Sequence, residues 1–149
     1  SNEPGFLTPI LYNYVGRPDK TAEVVRKTLK ERYNTTKEGI PGNDDSGSMS
    51  SWYVFHALGF YPNTGQNLYL ISSPTFEEAV IHLENGRDLS IKAKKASDKN
   101  IYVQSVKLNG EPLDACSFKH TDIANGGTLE FVMGSKPSKW GSVGVENQL

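Results

Sequence analysis

The sequence predicts an α+β fold in which helices come first and an antiparallel β segment follows, the character changing near residue 63. Three observations carry this reading. Up to that point apolar residues recur at helical spacing, as in "AEVVRKTLKERY". Beyond it they alternate with period two, and Asn-Gly pairs punctuate the alternating runs. The expected boundary divides the chain into 1–62 and 63–149.

The elements follow in order. A short helix is expected around Pro9 to Tyr14, broken by Gly16 and Pro18. Asp19 then caps a helix running to about Asn34, with Val25, Leu29, Arg32 and Tyr33 on one face. Asp19, Glu23 and the lysines Lys20, Lys27 and Lys30 form its solvated side. After the polar loop "NTTKEGIPGNDDSG", a further helix runs from about Gly47 to Leu58. Gly59 supplies the left-handed stop and Pro62 bars continuation. "NLYLIS", "EAVIHL", "DLSIKA", "IYVQSVKL", "SFKH" and "TLEFVM" read as strands. "HLENGRDLSIKA" and "VKLNGEPL" read as hairpins, because Asn-Gly accepts the positive φ of a tight I′ turn. Strands and helices do not alternate, so no parallel sheet is expected. Two helices and a short cap cannot close a core alone, and they read as the end of a larger helical assembly with a β unit packed behind it.

Composition bounds the function. A chain of 149 residues with net charge −1 is long enough for a core and offers no electrostatic attraction to nucleic acid or anionic membrane. No apolar run reaches the length of a membrane span, and no signal peptide is visible. The chain opens on Ser1, not Met, and is read as part of something longer. Cys116 is the single cysteine, which excludes an internal disulfide and a thiolate metal cluster. Asn34-Thr35-Thr36 matches a glycosylation acceptor, a triplet that chance often produces.

The loop "GNDDSG" raises the chemical question. Asp45 or Ser46 suffices to cap the helix that follows, since a helix start offers free N–H groups and partial positive charge. Asn43 and Asp44, framed by Gly42 and Gly47, exceed that need and suggest converging oxygens. The spacing fails the EF-hand pattern, lacking Gly at the sixth position and Glu at the twelfth. No Gly-x-Ser-x-Gly elbow occurs. A general-base carboxylate and an open metal site completed elsewhere both remain. Asn2 and Glu3, in "NEP", form a second polar cluster beside a helix start. Trp52, Tyr53 and Phe55 read as core aromatics, and His56, His82 and His120 as structural histidines.

The stretches "NEPGFLTPILYNYVGRPDKT", "GIPGNDDSGSMSSWYVFHALGFYP", "YLISSPTFEEAVIHLENGRDLSIKAKKASDKNIYVQSVKLNGEPL" and "IANGGTLEFVMGSKPSKWG" together resemble the C-terminal end of a glycoside hydrolase family 92 enzyme. That family comprises calcium-dependent exo-α-mannosidases. The resemblance implies that 1–62 are the last helices of an (α/α)6 toroid and 63–149 an antiparallel β-sheet segment closing the enzyme. It implies inversion at the anomeric carbon, with Asp45 as general base, Asn43 and Asp44 in support, and the general-acid glutamate earlier in the parent. Asn43 stands where many members carry a second acid. The resemblance places Asn2 and Glu3 in the sugar pocket and Ca²⁺ in the vicinity of Asn2 and Asp45. Where Ser-His-His often follows "NEP" in the family, this chain has Gly5, Phe6 and Leu7.

The partner implied is a mannose-containing glycan, with neither nucleic acid nor membrane. The location favoured is secreted, periplasmic or surface-attached in a bacterium. The fragment alone is expected to be inactive, and to self-associate or pair with the rest of the enzyme through helix faces around Val25, Leu29, Trp52 and Phe55. The rival reading is a non-catalytic carbohydrate-binding or structural β module, which needs exposed strand aromatics such as Tyr69 and Tyr102.

Overall fold

A computed structural model describes residues 5–145. The α+β order holds. A 3-10 helix spans Thr8–Val15, α1 spans Pro18–Arg32 and α2 spans Ser48–Leu58. The strands are β1 (Phe60–Asn63), β2 (Leu68–Ile71), β3 (Glu78–His82), β4 (Asp88–Lys94), β5 (Tyr102–Leu108), β6 (Glu111–Pro112), β7 (Ser117–Lys119) and β8 (Gly127–Gly134). All six alternating segments form strands. β1 is an addition: Gly59 ends α2 in left-handed backbone at φ 105, and pairing resumes at the next residue. Pro62 is tolerated because β1 is the edge of its sheet, where a missing N–H breaks no ladder.

Two sheets form, ordered β1-β2-β7 and β3-β4-β8-β5-β6. Every pairing is antiparallel except β4 with β8, which runs parallel in the middle of the larger sheet. The expectation of purely antiparallel pairing is corrected there. The chain between these two strands makes the β5–β6 hairpin and β7, so β8 inserts between β4 and β5 in the same direction as β4. The hairpin at Asn109-Gly110 is the two-residue I′ type, with φ 50 and 84. The hairpin at Asn85-Gly86 is not. Only Gly86 is left-handed, and Leu83 N donates to Arg87 O across a three-residue loop. This is the bulged geometry of longer hairpins.

Alternation explains the core. Leu89, Ile91 and Ala93 of β4 and Leu129, Phe131 and Met133 of β8 point to one face and are buried, with Phe60, Ile71 and Phe118 from the smaller sheet. In β5, Val103 and Val106 are both buried although they sit an odd number of residues apart. The register against β8 slips by one between Val103 and Ser105, and this bulge restores Val106 to the inner face. Gln104 in the bulge donates to Tyr102 O at 3.2 Å and to Lys136 O at 2.8 Å.

The helices bury themselves on the sheets. Asn13 of the 3-10 helix is fully buried and donates from Nδ2 to Ile71 O at 2.7 Å and Cys116 O at 2.9 Å. Its Oδ1 accepts from Thr21 Oγ1 of α1 at 2.7 Å. One amide therefore ties two helices to β2 and to the bend that leads into β7. Asp19 does not cap α1, a second correction. It lies inside the first turn, where the Arg17 fork grips it at 2.9 and 2.8 Å and holds its carboxyl below the usual range. Glu23 is not simply solvated either, since it accepts from Tyr102 OH of β5 at 2.9 Å.

The expected exposed faces are also corrected. Val25 and Trp52 are buried, and Leu29 and Phe55 half-buried. The exposed apolar surface belongs instead to their neighbours: Val24, Tyr53 and Val54, together with Leu11, Tyr14 and Val15 of the 3-10 helix.

Candidate active site

The acidic loop is built on left-handed backbone. Asp45, Ser46 and Gly47 have φ 42, 61 and 89 in succession. Two non-glycine residues in this region carry a steric cost that a regular helix start does not need. Gly47 stands in open space, so its φ, and not crowding, calls for glycine.

The capping expectation changes hands. Neither Asp45 nor Ser46 caps α2, and the residue at the N-cap, Gly47, has no side chain to do so. Asp44 reaches over the turn. Its Oδ1 accepts from the Ser50 amide at 2.9 Å and from Ser50 Oγ at 3.1 Å, and its Oδ2 lies 3.1 Å from the same hydroxyl. Ser50 is the third residue of α2, so Asp44 satisfies a helix-start donor from outside the usual position. The backbone follows: Met49 N donates to Asp44 O and Ser48 N to Asp45 O, each at 3.4 Å. Sequence reasoning missed Ser50, because an acid six residues ahead of its partner matches no capping pattern.

With Asp44 occupied, the Asp45 carboxylate is left unspent. It is exposed and accepts no hydrogen bond among the described residues, and the same holds for the exposed Asn43 side chain. The two supporting residues are therefore unlike: Asp44 shapes the loop, whereas Asn43 stands free beside Asp45. Asn2 and Glu3 lie outside the described residues. The chain just after them is held to α2, where Trp52 Nε1 donates to Phe6 O at 3.1 Å.

Tyr33 buttresses the loop from the end of α1. Its hydroxyl donates to Met49 O at 3.1 Å, and its ring stacks on Trp52 at 5.8 Å between centroids, 4° from parallel. Burial, reinforced by the negative charge of Asp44, pushes its phenol up to about 12. A cavity of about 130 Å³ opens between Phe6, Tyr33, Pro41, Met49 and Trp52, bordering the loop at both ends. A larger groove of about 510 Å³ runs past Tyr33, Ile40, Ser50, Tyr53 and Val54. Trp52 and Phe55 are core aromatics as expected, whereas Tyr53 lines this groove.

The described residues do not by themselves complete a cation site. No three His, Cys, Asp or Glu among them converge, and Ca²⁺ takes about 6–8 oxygens. Asp45 and Asn43 supply two oxygen-bearing side chains from one loop, so a cation held at this loop would draw most of its ligands from outside the described residues.

The histidines take structural places. His56 is fully buried between Tyr61, stacked at 4.8 Å, and Trp52, at 4.3 Å. Neither ring nitrogen has a partner among the described residues, and burial pushes its pKa down to about 3. His82 bonds Asp88 across the β3–β4 pair at 2.7 Å, and His120 bonds Tyr69 OH at 2.9 Å. The strand aromatics that the rival binding module needs, Tyr69 and Tyr102, are half-buried and not fully exposed. Tyr69 packs on Phe60 and Phe118, and Tyr102 is tied to α1 through Glu23.

Known proteins share this arrangement. The model of the glycosyl hydrolase family 92 catalytic domain matches residues 1–135. An uncharacterized secreted glycosidase of Arthroderma benhamiae is 41% identical over 144 residues, covering 95% of this chain and 19% of that protein. A family GH92 alpha-mannosidase of Bacteroides thetaiotaomicron, solved with mannoimidazole, superposes with a TM-score of 0.94 at 35% identity, covering 99% of this chain and 20% of the other. A GH92 inverting mannosidase of the same bacterium gives 0.89 at 32% identity, again covering 99% and 20%. The chain thus spans about a fifth of the length of the relatives it matches. With 1–135 matched by its catalytic-domain model, this chain belongs to glycosyl hydrolase family 92.

Proposed function

We propose that this chain is part of an inverting, calcium-dependent exo-α-mannosidase that removes terminal α-mannose from glycans, with Asp45 as its general base. The observation that carries the reading is the division of labour in the loop. Asp44 takes the helix-start bonds, and the Asp45 carboxylate beside it, on left-handed backbone, has no hydrogen-bond partner among the described residues. An ionised carboxylate so placed can accept the proton of a water as that water attacks the anomeric carbon. The opposing carboxylic acid, which protonates the leaving oxygen, belongs to the remainder of the parent, roughly 6.5–9.5 Å from the base to leave room for the water. Asn43 cannot take a proton, but its amide can orient the water toward Asp45. Asp44 acts as a positioning residue, since its oxygens are already engaged by Ser50.

Asn2 and Glu3 hold the terminal sugar in this proposal. Calcium lies in the vicinity of Asn2 and Asp45, its remaining ligands coming from elsewhere in the parent. When bound, such a hard cation would grip vicinal hydroxyls and favour a flattened, oxocarbenium-like ring. Residues 1–62 are the last toroid helices and 63–149 the β segment that closes the enzyme. The description of the fungal relative as secreted supports export of the parent.

The test uses the full-length parent. Asp45→Asn is expected to abolish turnover of an aryl α-mannoside while leaving the circular dichroism and melting temperature unchanged. Turnover near that of the unsubstituted enzyme would remove Asp45 from the base role. Chelation is expected to abolish activity and added calcium to restore it, and the 149-residue chain alone is expected to hydrolyse nothing.

A further inference from the structure

The chain leaves α1 through Tyr33 in extended backbone and folds at once into a small closed loop. The Asn34 amide donates to Gly39 O at 3.0 Å, and Gly39 N donates to Thr36 O at 3.0 Å. The loop is tight: a Cβ on Gly39 would stand 2.1 Å from Asn34 O and 2.8 Å from Thr36 O. Within it, Asn34 Oδ1 accepts twice from Thr36, from the backbone N–H at 2.9 Å and from Oγ1 at 2.5 Å. Asn34 Nδ2 has no hydrogen bond among the described residues, and residues 34 to 36 are all exposed.

We infer that Asn34 carries an N-linked glycan, the donor being a lipid-diphosphate-linked oligosaccharide of the eukaryotic secretory pathway. This rests on the export reading above and on a eukaryotic host in place of the bacterial one the sequence favoured, and the fungal relative described as secreted is its support. The triplet alone would say little. The fold adds that the one atom the transfer modifies is the one atom of this side chain with nothing else to do. A bond forms between the sugar C1 and Asn34 Nδ2 as the bond from C1 to the phosphate oxygen breaks. The diphosphate leaves with the bonding electrons, and one Nδ2 proton is lost to base. Oδ1 is untouched, so both bonds to Thr36 survive and the modified loop keeps its shape. Asn34→Gln would lengthen the side chain and lose both the acceptor and this geometry, whereas Thr36→Ser would keep a hydroxyl in place.

The test is made on the full-length parent in a eukaryotic secretory cell, once with its own leader and once with an appended secretion leader. In the appended-leader protein, peptide-N-glycosidase is expected to shift the band to faster migration, and peptide mass spectra to locate the conversion at Asn34. The mark at this site is expected to vanish in Asn34→Gln and Thr36→Ala and to persist in Thr36→Ser. An unmodified Asn34 in secreted, folded parent overturns the inference. Retention of the own-leader protein in the cytosol, with Asn34 occupied in the other arm, overturns the export reading and glycosylation in the natural setting instead.

Discussion

Removing the Asp44 carboxylate should loosen the start of α2 without touching the proposed base. The acceptor lost in Asp44→Ala serves the Ser50 amide at 2.9 Å, a first-turn donor with no partner inside the helix. A lost cap costs about 1 kcal/mol, within a range of roughly 0.5–2. The negative charge at the helix start adds about 0.3–1 kcal/mol. The Ser50 hydroxyl is exposed and finds water again, so its two 3.1 Å contacts add little. The sum is about 1–2 kcal/mol, and about 1.4 kcal/mol is a tenfold change. Hydrogen exchange by mass spectrometry on the full-length parent reads this directly. The amides of the first turn of α2, Ser50 above all, should exchange on the order of tenfold faster in Asp44→Ala. Asp44→Asn keeps an acceptor and loses only the charge, so its effect should be smaller. Asp45→Asn should leave these amides unchanged, because its carboxylate holds none of them. Equal exchange in Asp44→Ala and the unsubstituted protein, or an effect of Asp45→Asn as large as that of Asp44→Ala, would refute the division of roles.

Other expectations follow from burial. His56 has its pKa pushed down to about 3, so the unfolded chain takes up its proton first as pH falls. The stability it contributes is present above about 6.5 and is lost as pH falls through about 3, and His56→Phe should flatten that limb of an acid-unfolding curve. Tyr33, raised to about 12, works in the opposite direction: stability is complete below its ordinary pKa of 10.0 and falls as pH rises toward 12. Ultraviolet titration of the phenol should show it ionising earlier in Asp44→Asn than in the unsubstituted protein. Asn13→Ala breaks three buried bonds of 2.7, 2.9 and 2.7 Å. At about 1 kcal/mol each it should destabilise by about 3 kcal/mol, measured as a lowered midpoint in urea.

Much of this molecule is legible in its sequence because local chemistry decides it. Period-two runs become strands since one face must be dry, and Gly59 ends α2 since a left-handed turn suits it. Asn109-Gly110 makes its tight turn for the same kind of reason. The long motifs that resemble family 92 carry the family, which the matched catalytic-domain model bears out. Tertiary structure alone decided what depends on distant partners. The parallel pairing of β4 with β8 and the bulge at Gln104 belong to no single segment. Within short range too, side-chain geometry chose among local partners: Asp19 turned to Arg17, and Asp44, not its neighbours, took the helix start by reaching Ser50. In the acidic loop the residue types announced an excess of oxygens, but a carboxylate's bonding is settled only when the donors around it are in place. That geometry is what leaves the Asp45 carboxylate without a hydrogen-bond partner among the described residues.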